Sequence, residues 1–232
     1  MFYNLSSSSD ALDALTIQGY TPVLNQTISS NTKLPTHSSP RFTLIFSHTQ
    51  HPLPQTQCDL LAIRPLCEKT WNFACQNPRV DLISLDLSSR LPFYIKRPQI
   101  NQAISNGIYF EINLENLWSD AASKRHLIAN ALQLIRATQG RRLILTLGSV
   151  SASHVRSPMD IIHLASVFGL SADQAKLALS KNPHSCLLQA ASKRHSLNGI
   201  LSQESLLVSK LPFTKKRKFQ LDQDDNEPPS RS

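Results

Sequence analysis

An α/β fold on a parallel sheet, rolled into a (β/α)8 barrel, is what this sequence predicts, and three observations predict it. About eight short apolar runs alternate with helical patterns over roughly 190 residues, a lean version of the ~200–250 residues such a barrel usually takes. Runs such as Asp59 to Ile63 and Val80 to Leu85 are apolar almost throughout instead of alternating, the pattern of strands buried on both faces. The six glycines include no GxGxxG, so the alternative, a doubly wound open sheet, lacks the phosphate loop that would support it.

The elements follow in order. Phe2 to Leu5 is a short strand. Ser8 to Asp10 can cap a helix that buries Leu12, Leu15 and Ile17 and stops at Gly19. Tyr20 to Leu24 is the second strand, and Arg41 to Phe46 the third. Residues 26–40 and 47–57, rich in Ser, Thr, Pro and Gln, read as loops standing where the second and third outer helices belong. The strand from Asp59 breaks at Pro65, and Glu68 to Gln76 is helical, with Trp71, Phe73, Ala74 and Cys75 on or near one face.

Leu91 to Ile112, LPFYIKRPQINQAISNGIYFEI, is the stretch that organises the rest. An aromatic and basic loop (Phe93, Tyr94, Lys96, Arg97) opens on Pro98, and a helical run stops at Gly107, the usual start-and-stop asymmetry. The strand Ile108 to Ile112 follows directly. Asp120 can cap the longest helix, Ala121 to Thr138, whose apolar face is Leu127, Ile128, Ala131, Leu132 and Ile135 at helical spacing. Gly140 closes it, and Leu143 to Leu147 is a strand. Pro158 starts a helix that ends at Gly169, Ser171 caps its successor, and Ser185 to Leu188 reads as a last short strand. The domain assignment is a barrel over 1–206 and a disordered tail over 207–232, first basic and then acidic.

Charge is distributed unevenly. Residues 1–120 carry 8 Lys/Arg against 9 Asp/Glu, residues 121–218 carry 15 against 3, and the last 14 residues carry 1 against 4. A near-neutral first half joined to a strongly basic second half points to a polyanionic partner, nucleic acid before membrane. No apolar run approaches the ~20 residues needed to cross a bilayer, and the N-terminus lacks a signal peptide's pattern. Cys58, Cys67, Cys75 and Cys186 form no CxxC pair and read as reduced, mostly buried intracellular thiols.

The case for catalysis is weak. The eight histidines form neither HxH nor HExxH, no Ser sits in a GxSxG elbow, and His48 and His51 lie in a Pro/Gln loop without a carboxylate nearby. His163, on an otherwise apolar helix, reads as a core histidine. Asn4, Arg64, Asp86 and Glu111 fall at strand ends, where barrel enzymes keep their chemistry. Asp86 and Glu111, with loop histidines, would serve the rival reading, a metal-dependent phosphoesterase; the plainer reading pairs each with a cation or a helix start. Neither a metal nor another cofactor is expected.

The cations make the better case. They recur as doublets at element ends, Lys96–Arg97, Lys124–Arg125, Arg141–Arg142 and Lys193–Arg194, with Arg156 and the run Lys215, Lys216, Arg217, Lys218 in addition. Such doublets suit phosphate contacts, where affinity comes from counterion release. Aromatic residues are few among them, which favours a folded RNA bound by backbone and shape over stacking on single strands. The 215–218 run reads as a nuclear-import signal or a further nucleic-acid contact.

EKTWNFAC (68–75), VDLISLDL (80–87), the 91–112 stretch, SKRHLIANALQLIRATQG (123–140), ILTLGS (144–149) and SPMDIIHLASVFGLSADQAKLALSKN (157–182) together resemble the thirty-kilodalton protein subunit family of ribonuclease P and ribonuclease MRP, from about Asp59 to Ile200. The resemblance implies a TIM-like barrel related to the polymerase-and-histidinol-phosphatase hydrolases but without their metal centre. It implies a non-catalytic subunit beside a catalytic RNA, paired with a small ferredoxin-like protein subunit and other particle proteins. The activity supported would be removal of the 5′ leader from precursor tRNA, which is met indirectly, and ribosomal-RNA processing in the MRP particle, with a nuclear, nucleolar location. The family's basic loop and helix starts would put RNA contacts on Lys96, Arg97, Lys124, Arg125, Arg156, Lys193 and Arg194, to which the doublet pattern adds Arg141 and Arg142. Three departures stand out: Asn4 replaces the family's first-strand acid, Ser157 replaces a glycine, and the second and third outer helices are eroded.

Overall fold

Among the residues described by the computed structural model (1–7, 12–29, 41–46, 59–148 and 154–195), seven strands form one sheet: β1 (Phe2–Ser7), β2 (Tyr20–Ser29), β3 (Arg41–Phe46), β4 (Leu60–Pro65), β5 (Leu82–Ser84), β6 (Tyr109–Asn113) and β7 (Leu143–Thr146). The strands lie in sequence order and every neighbouring pair is parallel. Helices α1 (Leu12–Ile17), α2 (Glu68–Gln76), α3 (Arg97–Ser105), α4 (Ala121–Thr138), α5 (Pro158–Val167) and α6 (Ala172–Leu179) intervene, and α7 (Lys181–His195) follows.

Alternate strand residues face opposite sides. Tyr3, Leu5, Val23, Leu60, Ala62, Leu82, Tyr109 and Ile144 meet one another inside the curl of the sheet. Leu61, Ile63, Ile83, Phe110, Ile112, Leu143 and Leu145 face outward and pack with helical residues such as Trp71, Ile100, Leu127 and Ile161. Both faces are therefore dry, which accounts for the unbroken apolar runs. The capping signals are used as written. Asp120 accepts from the backbone N–H of Ala122 and Ser123, both at 3.0 Å, and Ser171 forms a reciprocal capping box with Gln174. Gly107, at φ +80°, ends α3, whose second residue is Pro98.

Three expectations change, the first being Ile17, which α1 leaves 82% exposed while burying Leu15. Ser185 to Leu188 is not a strand: it lies within α7. Four apolar residues cannot distinguish helix from strand, but Pro183, Cys186, Leu187, Ala190 and Ala191 are all buried, a helical stripe at i, i+3, i+4, i+7 and i+8. Residues 26–29 are not loop but the end of β2, in register with β3 from Asn25↔Arg41 to Ser29↔Ile45. The remainder of those two loops, and with them the erosion of the second and third outer helices, falls outside the described residues. So does the tail.

With no eighth strand among the described residues, the seam between β7 and β1 is bridged by a side chain: the Leu147 N–H donates to Asn4 Oδ1 at 3.1 Å. From below, α7 inserts Cys186, Leu187 and Ala190 into the inner cluster. Its far end is fixed to the strand starts. Lys193 Nζ donates to Val80 O at 3.2 Å and pairs with Asp81 at 3.3 Å. Arg194 donates to Asp59 O at 3.1 Å and pairs with the other Asp81 oxygen.

Above this apolar layer the interior is polar. Arg41, 1% exposed, forks onto Glu111, 0% exposed, at 2.7 and 2.5 Å. The same guanidinium donates to Leu5 O at 2.8 Å and to Thr43 Oγ1 at 3.2 Å. Thr43 donates to Asn25 Oδ1, and Thr146 to Glu111 Oε1, each at 2.8 Å. β1, β2, β3, β6 and β7 thus meet in one network. Burial pushes the Glu111 carboxyl up, but the charge and hydrogen bonds of Arg41 outweigh it and hold the group below its ordinary 4.5.

Truncating one partner of such a pair strands the other charge, so Glu111→Leu is expected to cost about 3–5 kcal/mol, while adding Arg41→Leu recovers much of the loss; urea unfolding followed by circular dichroism reads both. Because the folded value is depressed, the pair's contribution is complete above pH 4.5 and fades as pH falls through the folded value. Acid titrations of wild type and the double variant should converge accordingly. Arg194→Met, which leaves the buried Asp81 carboxylate short of a donor, should cost about 1–3 kcal/mol in the same assay.

Candidate nucleic-acid interface

A parallel sheet gives the molecule two unlike ends. Every strand finishes at one end, so the segments leading into α3, α4 and α5 share it, and the positive ends of those helices do too. The β5–α3 loop is held from beneath. Leu85, Leu87, Phe93 and Ile95 are buried, Phe93 stacks on Trp71 with ring centroids 5.3 Å apart, and Trp71 Nε1 donates to Gln99 Oε1 at 2.9 Å. Asn130 of α4 donates to Leu87 O and Ser89 O at 3.1 and 2.8 Å. Asn130, Leu134 and Thr138 are buried along with most of the expected apolar face of α4. The loop is therefore fixed, and Arg90, Tyr94, Lys96 and Arg97 are exposed on it.

Lys124 and Arg125 are exposed in the first turn of α4, and Arg156 is exposed just before α5, where Ser157 caps by accepting from Asp160 N at 3.2 Å. Cations at helix starts oppose the helix dipole, so they are not there for the helices' sake. Hydrogen bonds from Ser123 and Ser119 hold the Asp120 carboxyl well below the usual range, so the residue caps α4 as an anion. Lys96 has an exposed, hence weak, ion pair with Glu68 at 3.2 Å, and Arg125 Nε donates to Ala121 O at 3.2 Å. Among the described residues, the side chains of Arg64, Arg90, Arg97, Lys124 and Arg156 have neither hydrogen-bond nor ion-pair partners, as is true elsewhere of Lys69, Arg136, Lys176 and Lys181. Arg64 and Arg90 are additions that doublet spacing does not signal. Arg64 reaches into a polar cavity of about 240 Å³ at the barrel mouth, lined also by Asp86, Ser88, Asn113 and Glu115.

The other expected contacts lie at the opposite end. Arg142, itself left-handed at φ +50°, donates to Gly107 O and Gln189 Oε1, both at 3.2 Å, and covers the Tyr109 ring at 4.9 Å. Lys193 and Arg194 hold Asp81 and the strand starts. All three have structural partners. Arg141 is exposed, donating to Thr138 O at 3.4 Å. Lys215, Lys216, Arg217 and Lys218 lie outside the described residues.

The paired-carboxylate alternative does not assemble. Glu111 is committed to Arg41, and exposed Asp86 accepts from Ser88 N and Oγ at 3.1 and 2.6 Å. Among the described residues no three His, Cys, Asp or Glu side chains gather as metal ligands; His48 and His51 lie outside them. His163 is exposed, not in the core, because α5 buries Pro158, Ile161, Ile162 and Ala165 instead. Cys67, Cys75 and Cys186 are thiols, Cys67 meeting Thr70 Oγ1 at 3.4 Å; burial pushes Cys75 up to about 12 and raises Cys186 further. Cys58 lies outside the described residues.

The family model described as RNase P subunit p30 matches residues 4–195, so the likeness begins well before Asp59. Protein GAMETOPHYTE DEFECTIVE 1 of Arabidopsis thaliana is 38% identical over 136 residues, 59% of this chain and 23% of its own. Ribonuclease P protein subunit p30 of Mus musculus is 35% identical over 144 residues, 62% of this chain and 53% of its own. The match thus spans about a quarter to a half of these relatives' length. A chain in the cryo-EM structure of archaeal ribonuclease P with mature tRNA has the same fold, with a TM-score of 0.64 at 12% identity over 87% of this chain and 96% of that one. By the family match over most of its length, this chain belongs to the RNase P subunit p30 family.

Proposed function

We propose that this chain is a non-catalytic RNA-binding subunit of ribonuclease P, and of ribonuclease MRP, that helps hold the catalytic RNA in its active shape. The observation that carries this reading is the gathering of unpartnered cations, Arg90, Arg97, Lys124 and Arg156, with Lys96 and Arg125, at the helix-start end of the barrel. Fixed positive groups on a rigid rim suit a phosphate backbone whose own shape is set. The family relationship supports ribonuclease P RNA as that RNA. In this reading precursor tRNA is met through the RNA, and a small ferredoxin-like subunit and other particle proteins are the protein partners. Lys215 to Lys218 direct the chain to the nucleus and nucleolus. Arg142, Lys193 and Arg194 drop out as RNA contacts because the fold uses them.

The experiment is a comparison of the two ends. Lys124→Glu with Arg125→Glu in the full chain should weaken binding to in vitro-transcribed ribonuclease P RNA at least tenfold. The slope of log affinity against log salt should also fall, by about 1 for each phosphate that is no longer neutralised. Arg141→Glu, at the opposite end, should leave both within about twofold on the same footing. Equal losses from both ends, or none from either, would contradict the assignment of the face.

A further inference from the structure

Tyr94 is 73% exposed and, among the described residues, the one aromatic ring among the large apolar side chains left in water. Its neighbours on either side are buried: Phe93 at 5% and Ile95 at 9%. Phe93 is stacked on Trp71, and the start of the loop hangs from Asn130. The chain alternates in, out, in, and so presents the Tyr94 ring on a backbone held by the buried side chains on either side of it. A tyrosine fixed this way offers a flat contact face at little entropic cost, with its hydroxyl free to stay hydrated. Within four residues of it in the chain are Arg90, Lys96 and Arg97, all exposed, while Glu68 is occupied by Lys96.

We propose that Tyr94 is a stacking platform for one unpaired nucleobase of the bound RNA, with Arg90 and Arg97 on the phosphates that flank it. This rests on the RNA-binding reading of the same end of the barrel and deepens it. A folded RNA presents splayed bases at loops and bulges, and an exposed ring flanked by cations takes such a base by its face, with no requirement for a particular sequence. The contact differs in kind from those of the lysines and arginines. Stacking releases no counterions, so removing it lowers affinity at every salt concentration by the same factor.

The test uses the full chain and transcribed ribonuclease P RNA, titrated at several salt concentrations. Tyr94→Ala should weaken binding about 5- to 150-fold with the salt slope unchanged. Tyr94→Phe should bind within about twofold of wild type, and Tyr94→Leu, apolar but without a π face, should behave like the alanine variant. Arg97→Ala, by contrast, should lower the slope. Circular dichroism melts check that the exposed substitutions leave the fold intact. If Tyr94→Ala binds RNA like wild type while Lys124→Glu with Arg125→Glu does not, the face binds RNA and the stacking proposal is wrong; a protein partner then covers the ring. Full affinity in Tyr94→Leu would equally overturn stacking, in favour of an apolar contact. If neither position matters, the RNA reading fails first and the proposal with it.

Discussion

A guanidinium and a carboxylate meet in the middle of this barrel, and the rest of the structure is arranged around keeping them satisfied. Arg41 and Glu111 are 70 residues apart in the chain and wholly buried, so each would be costly alone. Leu5 O, Thr43 and Thr146 bond to them as well, and Asn25 bonds to Thr43 in turn, which ties five strands to one point. Barrel enzymes build their chemistry on the strand ends and loops above such a layer. Here the acid is neutralised by a fixed internal cation and Asp86 is turned to its own loop. The interior is given over to holding the sheet together, and the groups free to act are displaced to the rim.

The cations divide by the same criterion. At the strand starts Arg142, Lys193 and Arg194 have carbonyl or carboxylate partners, and the last two act as bolts that secure α7 beneath the barrel. Those at the helix starts sit against the helix dipoles, and most have no partner among the described residues. An unpaired arginine on a rigid loop contributes little to folding. Its use is external, and the helix dipoles that it opposes add to the field an anion would feel at that end.

Much of the architecture is legible in the residues because local signals agree with one another. The bounds of α2 and α4 follow from their apolar spacing and caps, and the 91–112 stretch announces loop, helix, glycine and strand in order. Where sequence reasoning fails, the signal is either too short or too distant. SCLL at 185–188 fits a strand until the stripe from Pro183 to Ala191 is followed for two turns. The tail of β2 reads as loop because Gln26 and Thr27 resemble the polar residues beyond them, and only pairing with β3 makes them strand. Asn130 lies on the buried side of α4 because two loop carbonyls need its amide, a demand that no helical wheel displays. The doublets at 124–125 and 193–194 are indistinguishable in sequence. Only Asp81, brought to the second pair by the fold, separates a structural pair from a free one.

The central claim is that this chain works as a protein part of an RNA-based enzyme. It is tested most directly by purifying the tagged full chain from extract, sequencing the RNA that accompanies it and assaying the eluate on precursor tRNA. The account predicts recovery of ribonuclease P RNA, or of MRP RNA beside it, together with 5′-leader cleavage that is abolished when the RNA is degraded. An eluate without either RNA, or cleavage that persists after nuclease treatment, would contradict it.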